Sequence, residues 1–209
     1  MRVRKKKWAA CELLDNPLIL GDASQDAREF FENRGQPLHL EIGCGKGRFI
    51  ASLSELNPGI NFAAMERDPT IVAQAARLAR QRGASNLRFI ISDVDFIEDF
   101  FVPGSISRLY INFCDPWPTK KKRARRRLTH DRYLEVYERL GIPQIFFKTD
   151  NRTLFEFSIE SFCRLGWLIS NVSLDLHKSD FKDNIVTEYE EKFSAFGPIY
   201  RLEATKTCV

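Results

Sequence analysis

The sequence lacks the features of a membrane, secreted or zinc-binding protein. Its apolar runs are all shorter than the roughly 18 residues that a membrane span needs. The basic start, MRVRKKKW, is followed by mixed polar residues and not by the apolar core of a secretion signal. The five cysteines are odd in number, scattered and without a C-x-x-C pair, which disfavours a disulfide framework and a zinc site. These absences predict a soluble cytoplasmic protein with no metal and no membrane contact.

Positive charge is concentrated in two short segments. Without the seven basic residues of 120–127, the net charge of +4 becomes −3, and when the five basic residues of 2–7 are removed as well it becomes −8. Such clustering is typical of a nucleic-acid footprint. The basic start is either a solvated tail or an arm that touches RNA. We therefore predict a basic N-terminal segment, 1–37, packing on or near one domain, 38–209.

The chain is organised around residues 109–127, LYINFCDPWPTKKKRARRR. The apolar run Leu109–Phe113 predicts a buried strand. The rigid turn Asp115–Pro118 then places a carboxylate and an indole at the carboxyl end of that strand, where open α/β sheets bind ligands. The indole of Trp117 either packs the turn or stacks on a base. A carboxylate, an aromatic plane and a phosphate-binding strip together indicate chemistry on a nucleic acid.

A glycine turn joins a predicted strand, Leu38–Ile42, to a predicted helix, Arg48–Leu56. Glycines allow a tight turn and a close approach of the backbone to a ligand. The pattern is E-x-G-x-G-x-G and not the dinucleotide-binding G-x-G-x-x-G. The carboxylate of Glu41 would repel a pyrophosphate, but it suits a ligand with an ammonium or sulfonium group, such as S-adenosylmethionine.

Strands and helices alternate along the rest of the chain. This alternation predicts an α/β fold with a mostly parallel sheet and helices on both faces. Further predicted strands are Asn61–Glu66, Leu87–Ile91, Gln144–Lys148, Trp167–Val172 and Pro198–Ala204. Further predicted helices are Asp26–Asn33, Pro69–Arg82, Thr129–Gly141 with Thr129 as N-cap, Leu154–Leu165, and Thr187–Phe193 with a capping box between Thr187 and Glu190.

Five carboxylates fall at the ends of predicted strands: Glu41, Glu66, Asp93, Asp115 and Asp150. Glu66 lies 19 residues beyond the last glycine of the turn, where a ribose-binding acid is expected; the alternative is a surface pair with the next residue, an arginine. Asp93 either accepts a bond from an adenine amino group or caps a helix. Because clustered unpaired acids repel one another, a rim of five indicates a cationic or donor-rich ligand.

The chain resembles the tRNA (guanine-N7)-methyltransferase family, bacterial single-chain type, over nearly its whole length. The D-P-W-P turn with its basic tail and the T-x-Y-E motif are specific to that family, whereas the glycine motif is common among methyltransferases. The matching segments are Glu41–Gly47, Asn112–Pro118, Arg126–Thr129, Phe147–Asn151 and Thr187–Glu190.

The resemblance implies a Rossmann-like class I methyltransferase fold of seven strands, the last antiparallel, that transfers a methyl group from S-adenosylmethionine to N7 of a guanine in tRNA. It implies that the cofactor is bound by Glu41, Gly43, Gly45, Gly47, Glu66, Asp93 and Asp115. It implies substrate contacts at Asp150, Thr187, Glu188, Tyr189 and Glu190, and RNA contacts at Lys121, Lys122, Arg123, Arg125 and Arg126. The family has a substrate-binding lysine where this chain has Thr119, so either Lys120 replaces it or that contact is absent.

Guanine N7 carries a lone pair at the major-groove edge and needs no deprotonation before attack. A strong base is therefore unnecessary, and the three histidines, His39, His130 and His177, are predicted to lie away from the motif residues as surface or capping groups. Asp115 is the predicted catalytic residue, orienting the methionine end of the cofactor or the base. Asp150 is predicted to hold N1–H and the amino edge of guanine.

A non-catalytic RNA-binding module would explain the basic strip but not Glu41, and a methyltransferase for another substrate would explain the glycines but not the strip.

Overall fold

The computed structural model describes residues 7–20, 26–118 and 120–206, which form three layers around one sheet. The strands are β1 (Ile19–Leu20), β2 (Leu38–Ile42), β3 (Asn61–Glu66), β4 (Leu87–Ile91), β5 (Ile106–Asn112), β6 (Gln144–Thr149), β7 (Leu168–Ser173) and β8 (Tyr200–Thr205). Their order in the sheet is β1-β4-β3-β2-β5-β6-β8-β7. The first six strands run parallel, and β8 lies between β6 and β7, antiparallel to both.

Helices cover both faces of the sheet, as predicted. They are α1 (Lys7–Asp15), α2 (Arg48–Leu56), α3 (Pro69–Gln81), α4 (Lys121–Ala124), α5 (Asp131–Arg139), α6 (Arg152–Arg164) and α7 (Glu188–Phe193). Side chains alternate across each strand, so in β3 Phe62 and Ala64 belong to the core that includes α2 and α3, whereas Ala63 and Met65 belong to the core on the other face, which includes α5 and α6. None of the helices within the described ranges is long and apolar enough to cross a membrane.

The start of α3 is fixed by local chemistry and its packing by small side chains. The Asp68 carboxylate accepts hydrogen bonds from the backbone amides of Thr70 and Ile71, at 2.8 and 3.3 Å, and Pro69 occupies the first helical position. The buried face is mostly alanine, including Ala75 and Ala79. Short side chains bring the helix close to the glycine turn, which sets the position of that turn.

Most predicted elements are present, with differences at their ends. The strand predicted as Leu109–Phe113 begins at Ile106 and ends at Asn112, because Phe113 adopts a left-handed conformation (φ +50°) and leaves the sheet. The prediction of Thr129 as N-cap is wrong. Its hydroxyl is buried 2.7 Å from that of Ser158, and the cap of α5 is His130, whose Nδ1 accepts from an amide at 3.2 Å.

The N-terminal part contributes two elements that the sequence pattern did not predict. Helix α1 packs on α3, and the two-residue strand β1 extends the sheet by pairing with β4. The sheet of the described chain therefore has eight strands, one more than the resemblance implied. The predicted short helix after Asp26 is a 3-10 turn over Ala27–Phe30. Residues 1–6, which include most of the basic start, lie outside the described residues.

Candidate active site

The glycine turn after β2 leaves open space beside the backbone. Gly43, Gly45 and Gly47 all adopt left-handed conformations, with φ of 72°, 54° and 78°. A Cβ built on Gly43 or Gly45 would meet no atom of the described chain within 4 Å. On Gly47 it would lie 2.7 Å from the Cβ of Ala75. The first two glycines thus keep a cradle free for a ligand, and the third lets α3 approach.

Glu41 is a buried carboxylate with one unsatisfied oxygen. Its side chain is 2% exposed, and Asn112 donates to Oε1 at 2.9 Å. Oε2 has no hydrogen-bond partner among the residues that the structure describes. Burial raises the pKa of Glu41 to about 7, against the Asn112 hydrogen bond and the charge of Lys148, which both lower it. A buried acceptor without a donor is costly, so this geometry fits a ligand that supplies a hydrogen-bond donor or a cation.

Asn112 was not singled out from the sequence as a functional residue. It is 8% exposed at the last position of β5, next to β2, which brings its amide to Glu41. The available signal is a polar residue that directly follows the apolar run Leu109–Ile111 at the end of the strand.

Three of the predicted acids meet in a cleft of about 370 Å³ at the carboxyl ends of β3, β4 and β5. Glu66 accepts from the amides of Arg67 and Asp68 at 2.9 and 3.2 Å and faces the amide of Gly45 at 3.4 Å. Asp93 caps the following 3-10 turn and also lines the cleft, so both alternatives for this residue are compatible with its position. Asp115 is the third, and it is exposed.

A second cleft of about 200 Å³ lies on the other side of Phe113. Glu41 lines it together with the glycine turn, and Thr187, Glu188 and Tyr189 close it from α7. Asp150 borders this region from outside, accepting from the Tyr189 hydroxyl at 3.1 Å. The predicted acidic rim is therefore divided between two adjoining clefts.

Glu190, predicted to contact substrate, is fully buried within the protein. Its carboxylate lies 2.8 Å from Lys148 Nζ, accepts from Asn184 at 2.6 Å and lies 3.0 Å from His177 Nε2. Burial alone would raise the pKa of Glu190, but the Lys148 charge and the hydrogen bonds lower it overall. With Thr187 it also forms the predicted capping box of α7. The prediction that His177 lies away from the motif residues is wrong, since it contacts one of them.

The other two histidines lie in different surroundings. His130 is the N-cap of α5, and capping was one of the two roles predicted for the histidines. His39 is buried beside Tyr110, and burial lowers its pKa to about 4. The imidazole of His39 is therefore neutral at physiological pH and part of the sheet's packing.

The basic strip is not uniform. Five predicted contacts to substrate or RNA are exposed: Lys120, Lys122, Arg123, Arg125 and Arg126. By contrast, Arg127 is 2% exposed and donates to the carbonyl of Pro116 at 3.0 Å and to that of Trp117 at 3.0 and 2.7 Å. Thr119 and the side chain of Lys121 lie outside the described residues.

Trp117 is held on two sides by neighbouring arginines. Its carbonyl accepts from Arg127, and the guanidinium carbon of Arg126 lies 4.5 Å from the centroid of its ring. Trp117 also lines the larger cleft. The indole therefore has a packing role, and a base that stacked on the same face would displace Arg126.

Comparison with known proteins gives the family. A family model described as a putative methyltransferase matches residues 35–202. A tRNA (guanine-N(7)-)-methyltransferase from Listeria monocytogenes serotype 4b is 47% identical over 98% of each chain. The chain belongs to the tRNA (guanine-N(7)-)-methyltransferase family. Another member, from Staphylococcus aureus strain Mu3, is 43% identical over 98% of this chain and 97% of its own.

Solved structures support the fold of this family member. The chain is similar to the 16S rRNA methyltransferase KamB, with a TM-score of 0.60 at 12% identity over 87% of this chain and 91% of the other. It is also similar to a precorrin-6y C5,15-methyltransferase from Geobacter metallireducens, with a TM-score of 0.56 at 15% identity over 98% and 90% of the two chains. The predicted class I methyltransferase fold is confirmed.

Proposed function

We propose that the protein transfers the methyl group of S-adenosylmethionine to N7 of a guanine in tRNA, the variable-loop guanine by family resemblance. The observation that carries the proposal is the unsatisfied, buried oxygen of Glu41 behind an open glycine cradle. Near-full-length identity to enzymes of that name supports the substrate. A non-catalytic RNA-binding module would leave this costly arrangement without a purpose, and a pyrophosphate-bearing cofactor would be repelled by it.

The residues present fit S-adenosylmethionine. Glu41 Oε2 would accept from its ammonium group, and Gly43 and Gly45 leave room for the methionine part. Glu66, at the end of β3, would accept from the ribose hydroxyls, and Asp93 would accept from the adenine amino group. When bound, the cofactor supplies an electrophilic methyl group on a sulfonium centre.

Catalysis rests on positioning and charge stabilisation. Asp115, at the mouth of the larger cleft, orients the reacting groups, and the acids around it stabilise the purine as it gains positive charge. Asp150, fixed by the Tyr189 hydroxyl, holds the N1–H and amino edge of guanine. Thr187 and Glu188 line the adjoining cleft, while Glu190 acts through Lys148 by holding α7 in place. Replacing Asp115 by alanine should abolish most turnover, and a parental rate would refute its role.

The basic strip delivers the RNA. Lys120, Lys121, Lys122, Arg123, Arg125 and Arg126 neutralise phosphates and release counterions, so tRNA affinity falls steeply with salt. Neutralising Arg123, Arg125 and Arg126 together should lower the slope of log affinity against log salt by about 2 to 3. The matched control is Arg34→Ala, which removes an exposed arginine that precedes the amino end of β2, whereas the basic strip follows the carboxyl end of the parallel neighbour β5. An unchanged slope in the triple variant would refute the assignment.

The decisive experiment is incubation of unmodified tRNA transcripts with a labelled methyl donor, followed by borohydride–aniline cleavage. We expect one labelled N7-methylguanine per transcript. Absence of label, or label at another atom, would contradict the proposal. Co-purified S-adenosylmethionine or its demethylated product would separately exclude a non-catalytic RNA binder.

We further infer that the protein works in the cytoplasm as a monomer or a homodimer, since its substrate is tRNA and the described helices include no membrane span. Light scattering at the concentrations used for the assay measures the oligomeric state.

A further inference from the structure

Four aromatic rings form a row from the active site to the outer surface of α7. Ring centroids lie 5.1 Å apart from Phe113 to Tyr189, 4.2 Å from Tyr189 to Phe193 and 6.3 Å from Phe193 to Phe196. We call these four residues the aromatic row. The exposed fraction is 41% for Tyr189, 40% for Phe193 and 84% for Phe196. The three outer rings are therefore partly exposed to solvent, unlike the aromatic pairs of the core, and Phe196 is the most exposed of them.

The inner end of the row belongs to the active site. Phe113 lines both clefts, and its left-handed backbone, uncommon for a residue other than glycine, turns the chain out of the sheet at this point. Tyr189 lines the smaller cleft and donates to Asp150, the proposed guanine contact. The row thus begins where the target base is held and leads outward without interruption.

We propose that the aromatic row binds unpaired nucleotides next to the target guanine by stacking; this inference rests on the proposed function. A guanine that enters a cleft must leave its stack, which costs stacking energy and exposes the faces of its neighbours. Aromatic side chains replace that stacking without sequence preference, because every base has a π-face. The row compensates for the unstacking at the place where it occurs.

Charges around the row are compatible with RNA. Of the three acids of α7, Glu190 pairs with Lys148 and Glu191 with Arg48, whereas Glu188 has no ion pair among the described residues. Lys192 adds a positive charge beside Phe193. A protein partner or a second copy of this chain could also cover exposed aromatic rings, but continuity with a cleft that takes an RNA base favours RNA.

The test compares three substitutions of Phe196, the most exposed member, in the full-length enzyme. We expect Phe196→Ala and Phe196→Leu to lower kcat/KM for the unmodified tRNA transcript by about tenfold, since both remove one stacking face. Phe196→Trp should retain the parental value because it keeps a face. Cofactor affinity and thermal stability should stay unchanged in all three. The matched control is Leu14→Ala on α1, where an 86% exposed apolar side chain lies far along the chain from the row.

A second readout places the contact on the RNA. 2-Aminopurine at each nucleotide flanking the target should be quenched on binding to the parental enzyme, and less quenched by Phe196→Ala. Parental activity in Phe196→Leu would overturn the proposal, because apolar contact would then suffice. A change of oligomeric state in Phe196→Ala would assign the row to self-association instead. If the parental enzyme methylates N7 and Phe196→Ala is equally active, the stacking role of the aromatic row is refuted and the proposed function stands. If the parental enzyme leaves N7 unmethylated, the proposed function itself is refuted.

Discussion

Lys148 Nζ lies 2.8 Å from Glu190 Oε2 in the interior, joining β6 to α7. The lysine also donates to Asn184 Oδ1 and to the Ile185 carbonyl, both at 3.0 Å. Burial lowers the pKa of Lys148, against the Glu190 charge, which raises it. This ion pair fixes the residues that close the smaller cleft.

Removing one partner of that pair should be strongly destabilising. Lys148→Met keeps most of the side-chain volume but leaves Glu190 buried without its cation, so the free energy of unfolding should fall by about 3 kcal/mol. The double variant Lys148→Met/Glu190→Gln should recover part of that loss. Urea denaturation of both variants measures this loss and its recovery. The exposed pair of Arg152 and Glu156 on α6 provides the control, where Arg152→Met should change nothing measurable; an equally small effect at Lys148 would contradict the prediction.

Cofactor affinity should depend on pH through Glu41. Its pKa is about 7 in the folded protein and near 4.5 ordinarily. Between these values the folded state holds a proton that the unfolded state has lost, so the stability of the free protein should fall as pH rises from about 4.5 to 7. A cationic ligand favours the ionised carboxylate, so affinity for S-adenosylmethionine should rise over the upper part of that range, with proton release.

Calorimetry in two buffers of different ionisation enthalpy measures that release directly. Glu41→Gln cannot titrate, and it should bind weakly at every pH with no proton release from this site. If the affinity of the parental enzyme for S-adenosylmethionine did not change with pH, Glu41 would not be a ligand contact.

Alanine substitutions of two arginines of the basic strip, Arg127 and Arg125, should affect different properties of the protein. Arg127→Ala removes charged donors from two backbone carbonyls and should cost about 2–3 kcal/mol of unfolding free energy, lower kcat, and leave the salt slope of RNA binding unchanged. Arg125→Ala should lower that slope by about 0.9 and leave stability unchanged. Denaturation curves and a salt titration of both variants separate the two roles. A reduced slope in Arg127→Ala would mean that this side chain reaches RNA.

Alanine substitutions of two glycines of the turn, Gly47 and Gly43, should differ in their effects on stability and on cofactor affinity. Gly47→Ala would press a methyl group against Ala75 as well as forcing a left-handed alanine, and should destabilise by about 2–4 kcal/mol. Gly43→Ala meets open space, so the fold should lose only about 1 kcal/mol, while cofactor affinity falls because the methyl group occupies the cradle. Gly104→Ala, equally left-handed with φ +78° and before β5, is the control, with unchanged affinity. Unaltered binding by Gly43→Ala would show that the ligand avoids this turn.

The central part of the fold follows from local sequence signals. The bounds of α2, β2, β3 and β4 match their predictions because apolar periodicity and the glycines of the turn indicate the same limits. Helix α1 was missed because its pattern, KWAACELLD, lacks an acidic first turn and a basic last turn and depends on packing against α3.

The sequence indicates candidate site residues, but it does not indicate which partners they meet in the fold. A charge run does not indicate which arginine turns inward; Arg127 does so because two carbonyls of the D-P-W-P turn need donors. The capping box of Glu190 is local and was found, whereas its ion pair spans 42 positions to Lys148. Likewise, Asn112 and Glu41 meet only because β5 pairs beside β2. Such contacts depend on strand order, which adjacent residues do not encode.

The place of β8 between β6 and β7 has a consequence for synthesis. β7 is joined to the rest of the sheet through β8, although β8 is made after it. On the ribosome, two strand edges therefore stay open until Tyr200–Thr205 emerges. During that interval the nascent chain exposes backbone donors and acceptors that invite pairing with other polypeptides, so a truncation within β8 should produce aggregation rather than a smaller active enzyme.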